Sequence, residues 1–310
     1  MPDAVIAWVN GDDPSHKEKR TFFLEQEKTD NLRRGATEHT RFADNNEIWF
    51  CIHFIRKNAP WIHRIFLVTD NQVPVWLSDE LKKSLNVIMI DHRVIFSGFE
   101  DCLPTFNANT IETMLFRIPG LSDNFLYFND DVFLIRPTRE QDYFAGNKLR
   151  VRGKWRWTNR YIRSAYKMFD WSKRLNGYVG HRGNARYFSS CNRLFHLAHA
   201  PYPVNKHILE QVFPSSKELR SQIKHRFRNR KQFQTNGLAT NIAFKKHLAK
   251  KGPDDWGYIC SNYYEDGTLN RHLDFYRANR KVKSLCIQSM DQASSSQEAS
   301  MKRLLLDFLE

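Results

Sequence analysis

The first 135 residues alternate short apolar runs with segments of helical periodicity. The apolar runs of strand length are residues 4–9, 64–69, 86–90 and 125–128. The segments with helical spacing are residues 44–58, 78–84 and 109–118. Strands separated by helices favour right-handed crossovers between parallel neighbours. The pattern therefore predicts an α/β protein with a mainly parallel, doubly wound sheet.

Two helix starts carry cap signals. Asp44 stands three residues before Glu47, which predicts a capping box with Asp44 as N-cap and a helix that continues to about Asn58. The run of serines that begins at Ser294 predicts the entry of a terminal amphipathic helix. We expect the role of that last helix to be packing, with membrane-surface anchoring as the alternative.

Composition changes along the chain and suggests three regions. Residues 1–145 carry the α/β pattern, and residues 146–235 are rich in Lys and Arg. Residues 236–310 form the remainder, which is predicted to be mostly helical, with residues 241–250 as its clearest helix. The predicted architecture is thus an α/β core with a basic, mostly helical additional region.

Polar residues follow all four predicted strands. They are Asn10, Gly11, Asp12 and Asp13, then Asp70, then Asp91 and His92, and finally Asn129, Asp130 and Asp131. At any single strand end, a turn or a helix cap explains such residues. In open α/β sheets, however, ligands bind outside the carboxyl ends of the strands. Four polar ends at one edge therefore favour a binding site.

Asp130 and Asp131 lie between two strongly apolar runs. Carboxylates next to a buried strand cost stability unless a partner neutralises them, and a divalent cation that also binds phosphate oxygens would do so. A polar hairpin turn explains the same residues without any metal. The strand-end pattern favours the metal site.

The chain has 310 residues and a net charge of +14, from 48 Lys and Arg against 34 Asp and Glu. Such a field favours nucleotides, nucleic acid, acidic polymers or an anionic membrane face. Two basic segments interleaved with aromatic residues, 148–163 and 217–231, are candidates to contact a polyanion or to form a lid. The alternative for both is a solvated face.

The five cysteines are far apart and include no CxxC pair, so a disulfide framework or structural zinc site is not expected. The first residues lack a secretion signal, and no apolar run approaches the roughly 20 residues that span a bilayer. We expect a cytoplasmic protein in a reducing compartment.

Several ordered motifs resemble the Stealth family, which includes bacterial capsular polysaccharide phosphotransferases and the lysosomal-enzyme N-acetylglucosamine-1-phosphotransferase of animals. The motifs are DAVIAWVNGDDP at residues 3–14, RFADNNE at 41–47, VTDNQVPVWL at 68–77, LPTFN at 103–107, RIPGL at 117–121, FNDD at 128–131, HAPYP at 199–203 and FR at 227–228. The family usually shows Ile-Asn-Asp in its fourth block, where this chain has CIQSMD at 286–291. Asn10 also stands where many relatives carry Asp.

The resemblance implies a Rossmann-like, glycosyltransferase A-like core that binds a nucleotide sugar within residues 1–145, and an acceptor-binding region within residues 146–235. It implies transfer of a sugar 1-phosphate from a UDP-sugar to a hydroxyl of a glycan in capsular polysaccharide synthesis. The product is a phosphodiester, and UMP leaves. The implied partners are the UDP-sugar, an anionic glycan acceptor, and a peripheral contact with the inner membrane or capsule assembly proteins.

The same resemblance assigns candidate residues to this chemistry. Asp131, with Asp130 or Asp291, would hold Mg²⁺ or Mn²⁺ against the diphosphate. His199 would take the hydroxyl proton, and Arg228 would contact the phosphoryl oxygens. Asp131 as the base, with His199 donating to phosphate, stays an open alternative.

The remaining candidates surround the nucleoside. Trp8, Asn10, Gly11, Asp12 and Asp13 are expected beside uracil and ribose, with Gly11 permitting close approach of the backbone. Arg41 and Asn107 are expected to line the same crevice. For His92 and Glu112, support of the site and simple helix capping are both open.

Two other functions compete with this prediction. A metal-dependent glycosyltransferase would use the same kind of sheet but release UDP. A nucleic-acid-binding protein would explain the positive charge. Against the latter, no nucleic-acid-binding motif is present, and the acidic strand ends would repel phosphate without a metal.

Overall fold

The computed structural model describes residues 1–27, 32–33, 35–157, 193–265 and 267–310. Their strands, in chain order, are β1 (Asp3–Ala7), β2 (Ile65–Thr69), β3 (Val87–Asp91), β4 (Asn124–Asn129), β5 (Val132–Phe133), β6 (Phe144–Ala145), β7 (Lys148–Val151), β8 (Gly153–Trp157), β9 (Arg193–Leu197), β10 (Tyr202–Asn205), β11 (Ala249–Lys251), β12 (Trp256–Ile259) and β13 (Ser284–Ile287). Their α-helices are α1 (Pro14–Glu25), α2 (Glu47–Asn58), α3 (Asp79–Ser84), α4 (His92–Ile95), α5 (Ala108–Met114), α6 (Lys206–Glu210), α7 (Ser216–Ile223), α8 (Thr235–Lys245), α9 (Asn262–Glu265), α10 (Leu269–Ala278) and α11 (Ser295–Leu309).

A five-stranded sheet forms the centre, in the order β10-β4-β1-β2-β3. The pairs β4–β1, β1–β2 and β2–β3 are parallel, and β10 is an antiparallel edge strand. β1, β2 and β4 are almost wholly buried, as expected for parallel strands that are covered on both faces. The predicted mainly parallel α/β sheet is confirmed. Its carboxyl edge collects the residues that follow β1, β2, β3 and β4.

The helix after residue 44 begins later than predicted. Its first residue is Glu47, and its N-cap is Asn46, which has a φ of 68°. Asp44 Oδ1 accepts from the Asn46 amide at 3.0 Å, and Glu47 accepts from the Asn45 amide. The prediction of Asp44 as N-cap is therefore wrong, because both carboxylates bind amides of the turn that precedes the helix. The predicted helix end at Asn58 is confirmed.

The basic region is less helical than predicted. Within its described residues, 146–157 and 193–235, β7, β8, β9 and β10 accompany the two short helices α6 and α7. β10 pairs with β4 and so ties this region to the central sheet. The boundaries at residues 145 and 235 stay predictions.

The last third is also more extended than predicted. α8 ends at Lys245, and His247, with a φ of 58°, turns the chain away from the helix. β11 then pairs with β7, so the predicted helix over residues 241–250 is wrong after Lys245. β13 pairs with β12 and with β5, which brings the fourth sequence block beside β5.

The terminal helix was predicted correctly. Ser294 is its N-cap and forms a capping box with Gln297. Met301, Leu304 and Leu305 of α11 are buried in the main core, which fits the predicted packing role. In the part of the chain that the structure describes, no helix is both long and apolar enough to cross a bilayer.

Candidate active site

A pocket of about 450 Å³ borders the carboxyl ends of β1 and β2. Its volume lies in the range of small-molecule sites. Its lining includes Trp8, Asn10, Asp13, Asp44, Asp70 and Trp76. Gln72 fixes one wall, because its side chain accepts from the Asn10 amide at 3.0 Å and donates to the Asn10 carbonyl at 2.9 Å. Trp8, Asn10 and Asp13, from the predicted nucleoside group, thus face a common pocket.

Gly11 and Asp12 of that group have different surroundings. The Gly11 amide donates to the Phe42 carbonyl at 2.8 Å, and a Cβ at position 11 would lie 2.2 Å from Phe42 Cβ. The missing Cβ therefore admits Phe42, which corrects the expectation that it admits a ligand. Asp12 is exposed, and its Oδ1 lies 3.3 Å from His39 Nε2.

Asp130 and Asp131 form the turn between β4 and β5, which we call the acidic turn. Burial, followed by the charges of Asp131, Glu47 and Asp44, raises the pKa of Asp130 well above its usual value. Burial raises the pKa of Asp131 to about 6. Oδ1 of Asp131 is buried and has no hydrogen-bond partner among the described residues. The turn thus holds one unsatisfied acceptor oxygen and two carboxyl groups whose charged forms burial disfavours.

This donor chemistry fits a divalent cation that is shared with phosphate. Within the described ranges, no three His, Cys, Asp or Glu side chains form a preformed metal centre. A magnesium site does not need three, since Mg²⁺ is commonly held by one or two carboxylates together with substrate phosphates and water. Asp130 and Asp131 would be the residues that hold such an ion.

Asp291, the other predicted metal ligand, makes a separate set of contacts. Thr40 Oγ1 donates to Asp291 Oδ1 at 2.7 Å, and His39 Nδ1 lies 3.9 Å from Asp291 Oδ2. His39 thereby stands between Asp291 and Asp12. A ligand role for Asp291 stays a prediction.

The fourth sequence block nevertheless reaches the acidic turn. The Ile287 amide donates to the Asp131 carbonyl at 3.0 Å, and Cys286 pairs with Val132 across the two strands. The Cys286 thiol also hydrogen-bonds the Asp131 side chain, which opposes the rise in the pKa of Asp131. At this turn, the fourth sequence block therefore supplies a thiol.

His199 lies between β9 and β10, and its ring stacks on Tyr258 at 4.7 Å with an interplanar angle of 20°. Burial lowers the pKa of His199, which favours the neutral imidazole that can accept a proton. Burial raises the pKa of Tyr258, and the charges of Cys286 and Asp131 act in the same direction. Tyr258 thus contacts His199 and also senses the charge of Asp131 in the acidic turn.

Arg228 lies in a group of three arginines, Arg33, Arg41 and Arg228, which we call the arginine cluster. Burial lowers the pKa of Arg228, whereas Glu112 and Tyr127 raise it. Burial and the positive charges of Arg228 and Arg33 lower the pKa of Arg41 to about 10. Since guanidinium groups bind phosphoryl oxygens well, this group suits an anion.

Packed aromatic rings fix the backbone beside this cluster. Phe42, Phe106 and Phe227 are buried together, and the rings of Phe106 and Phe227 stack at 5.2 Å. Arg41 and Arg228 are the direct chain neighbours of Phe42 and Phe227. The motifs at residues far apart in sequence are therefore joined through their phenylalanines.

Asn107 anchors the same loop and does not line the crevice. It is fully buried, and its Nδ2 donates to the His225 carbonyl at 3.0 Å and to Gln232 Oε1 at 2.8 Å. Its Oδ1 accepts from the Asn109 amide at 3.2 Å as the cap of α5. The expectation that Asn107 faces a ligand is corrected, because its polar atoms are used within the fold.

Glu112 is buried in the middle of α5, whose N-cap is Asn107, so the capping alternative is wrong for Glu112. The charge of Arg228 acts on it from another segment. Glu112 accepts from the Tyr127 hydroxyl at 3.3 Å and from Asn236 Nδ2 at 3.0 Å. Burial raises its pKa to about 7, while Arg228 opposes this rise. The Tyr127 hydroxyl also lies 3.1 Å from Asn129 Oδ1, which is next to the acidic turn.

His92 is the first residue of α4, and the cap of that helix is Asp91, which accepts from the Arg93 amide at 2.8 Å. The His92 ring is buried, and neither ring nitrogen has a hydrogen-bond partner in the described ranges. Burial lowers its pKa, and the charge of Asp70 opposes this. Burial therefore favours the neutral form of the His92 ring.

Sequence reasoning missed Tyr258 and Arg33. Tyr258 belongs to a short strand in a region predicted to be mostly helical, and Arg33 lies outside the recognised motifs. It also assigned Asp44 and Glu47 to capping, although their charges raise the pKa of Asp130. Their place within the RFADNNE motif was the available signal for a role near the site.

Comparison with known proteins adds a family match. Residues 41–152 match Stealth protein CR2, conserved region 2. Capsular polysaccharide phosphotransferase cps1A of Actinobacillus pleuropneumoniae is 41% identical over 145 residues, which are 47% of this chain and 38% of that protein. Capsular polysaccharide phosphotransferase fcs1 of Haemophilus influenzae is 32% identical over 234 residues, which are 74% of this chain and 61% of that protein. The chain thus spans less than two thirds of either relative.

Two solved glycosyltransferases are distantly similar to this chain, each with a TM-score below 0.5. Galactosyltransferase LgtC, in complex with donor and acceptor sugar analogs, has a TM-score of 0.46 at 12% identity and covers 99% of this chain and 95% of that one. The bifunctional glycosyltransferase WbbM has a TM-score of 0.48 at 11% identity, over 100% of this chain and 49% of that one. The chain carries conserved region 2 of the Stealth proteins, and the resemblance to capsular polysaccharide phosphotransferases that its motifs indicated is confirmed.

Proposed function

We propose that this chain transfers a sugar 1-phosphate from a UDP-sugar to a hydroxyl of a glycan acceptor and releases UMP. The acceptor oxygen forms a bond to the phosphorus that carries the sugar. The bond from that phosphorus to the bridging oxygen breaks, so UMP leaves with the electron pair. The hydroxyl proton passes to a base, and a phosphodiester remains in the glycan.

One observation carries the proposal: the acidic turn and the pocket lie at the carboxyl ends of two neighbouring strands. Asn129, which directly precedes the turn, pairs with Ala7 of β1, and Trp8, which follows Ala7, lines the pocket. Asp44 lines the pocket, and its charge contributes to the raised pKa of Asp130. A nucleoside in the pocket would therefore place its phosphates near the two carboxylates of the turn. A divalent cation held by Asp130 and Asp131 would supply charge neutralisation for the diphosphate.

The other residues have roles that suit phosphoryl transfer. Burial lowers the pKa of His199 and so favours its neutral ring, which makes it the candidate to take the acceptor proton. Arg228 and Arg41 would bind phosphoryl oxygens and stabilise charge as it moves to the leaving group. The charge of Glu112 opposes the lowering of the pKa of Arg228 by burial, which favours the charged guanidinium.

An anionic glycan acceptor also explains the basic surface. β8 exposes Lys154, Trp155, Arg156 and Trp157, and β9 leads from this two-stranded sheet to His199. Residues 158–163 of the predicted polymer-binding segment lie outside the described residues. Charge reversal at Lys154 should weaken polymer binding at low salt and have less effect at high salt.

The decisive experiment identifies the nucleotide that the reaction releases. The protein is incubated with a panel of UDP-sugars, Mg²⁺ or Mn²⁺ and short glycan acceptors, and the products are separated by chromatography. UMP that forms only when acceptor is present supports the proposal. UDP in its place would identify a glycosyltransferase and overturn the proposed phosphotransfer.

A further inference from the structure

Arg33 is held beside Arg228 by its backbone. The Arg33 amide donates to the Arg228 carbonyl at 2.8 Å, and Leu32 forms an antiparallel bridge with Asn229. Leu32 also packs against the cluster of Phe42, Phe106 and Phe227. The two residues 32–33 thus run along the FR motif as a short added strand, and this fixes where the Arg33 side chain starts.

Positive charge at this point exceeds the negative charge that faces it. The Arg33 guanidinium is partly buried and near the like charge of Arg228, and both effects lower its pKa. Among the described residues, Glu38 faces Arg41 and Glu112 faces Arg228. Burial raises the pKa of Glu112 to about 7, so at neutral pH it carries only part of a negative charge.

Three guanidinium groups that are crowded and partly desolvated are unfavourable unless an anion joins them. A phosphate ester is the anion that matches them, because its oxygens accept paired hydrogen bonds from several arginines at once. A carboxylate would offer fewer acceptor oxygens and less charge.

We propose that Arg33, Arg41 and Arg228 form one phosphate-binding site, and that Arg33 is a binding residue of it, supplied by the segment after α1. Assignment of its ligand as the diphosphate of the sugar donor rests on the proposed function. The site itself requires only that the three guanidinium groups share one anion.

The test is direct binding of inorganic pyrophosphate, without metal or acceptor, by isothermal titration calorimetry. Arg33→Gln should weaken binding about tenfold, because it removes charged hydrogen bonds to the anion. Arg271→Gln, an equal change of charge at an exposed position of α10, should leave the Kd unchanged. Arg33→Lys keeps the charge but loses the forked geometry, so its Kd should fall between those of wild type and Arg33→Gln.

Pyrophosphate binding by Arg33→Gln that equals wild type would overturn the proposal. Equal weakening by Arg33→Gln and Arg271→Gln would also overturn it, because only net charge would then matter. Should Arg33→Gln fail to fold, as judged by circular dichroism, Arg33→Lys decides: unchanged binding overturns the site and weaker binding supports it. Nucleotide release is measured separately, so failure of the proposed function leaves this result readable.

Discussion

The acidic turn and the arginine cluster are two groups of like charges that the fold holds together by different means. Asp130 and Asp131 follow β4 directly, so hydrogen bonds of the central sheet fix their position. The arginines come from three segments that meet through the packing of Phe42, Phe106 and Phe227 and through backbone contacts of residues 32–33 with residues 228–229. The acidic group is therefore a product of local sequence, and the basic group is a product of tertiary contacts.

The two groups also differ in what can relieve the repulsion between their like charges. In the acidic turn, burial and neighbouring carboxylates raise the pKa of Asp130, so proton uptake can relieve the repulsion. Arginine does not lose its proton at ordinary pH, so the arginine cluster can be relieved only by an anion. We expect the turn to respond to pH and metal, and the cluster to respond to phosphate.

The largest effect should follow from Asp131→Asn. Loss of the charge should reduce turnover about 1000-fold, because neutralisation of the diphosphate fails. The melting temperature should not fall, since burial already disfavours the charged form of Asp131. Nucleotide release and thermal melting check both parts.

The control for this change is Asp79→Asn, which removes a carboxylate at the exposed start of α3 and should leave turnover unchanged. Retained turnover in Asp131→Asn would show that the acidic turn is not part of the active site.

Arg228→Gln should have the next largest effect, with turnover falling about 100-fold. Removal of one of three like charges should also raise the pKa of Arg41 and leave stability unchanged or improved. Steady-state kinetics, with chemical denaturation on the same samples, measures this. A large loss of stability would show that Arg228 serves the fold and would contradict the comparison between the two groups.

Asn107→Ala should damage the arginine cluster without touching any charge. It removes one of two donors from the His225 carbonyl and from Gln232 Oε1, which keep Thr110 Oγ1 and the Asn229 amide, and it removes the cap of α5. The two lost hydrogen bonds and the lost cap should together lower the free energy of unfolding by about 2–3 kcal/mol. Turnover should fall together with phosphate affinity, because the loop that carries Arg228 loosens. Urea unfolding and pyrophosphate titration test this, and an unchanged protein would contradict the anchoring role.

The smallest effect concerns pH. Burial raises the pKa of Glu47 from its usual 4.5 to about 7, so the unfolded chain releases this proton first and stability falls as pH rises through that window. Glu47→Gln should flatten this fall by about 1–3 kcal/mol. His16, whose pKa burial lowers to about 4, acts in the opposite direction in both proteins and cancels in the difference. Denaturation between pH 4.5 and 7.5 measures this. Parallel curves for the two proteins would show that folding does not raise the pKa of Glu47.

Residues near a strand end were the ones that sequence reasoning located well. Asp130, Asp131, Trp8, Asn10 and Asp13 follow β4 or β1 and lie at the shared edge, as the alternating pattern predicted. A parallel strand fixes the direction of its own carboxyl end, so the edge is set once the strands are recognised.

Residues whose neighbours are distant in sequence were located poorly. Gly11 and Asn107 were expected to meet a ligand, yet they meet Phe42 and the loop at His225. Tyr258 was missed because its contact with His199 depends on how β12 packs beside β13. None of these contacts has a periodic signal in the chain.

The sequence by itself thus determined the α/β alternation, the edge where polar residues gather, and the family motifs. Tertiary structure alone decided that three arginines meet, that Glu112 lies beside one of them, and that Asp291 pairs with His39 and Thr40. The physical reason is range: periodicity and capping act over a few residues, whereas side-chain packing joins segments that the chain order does not relate.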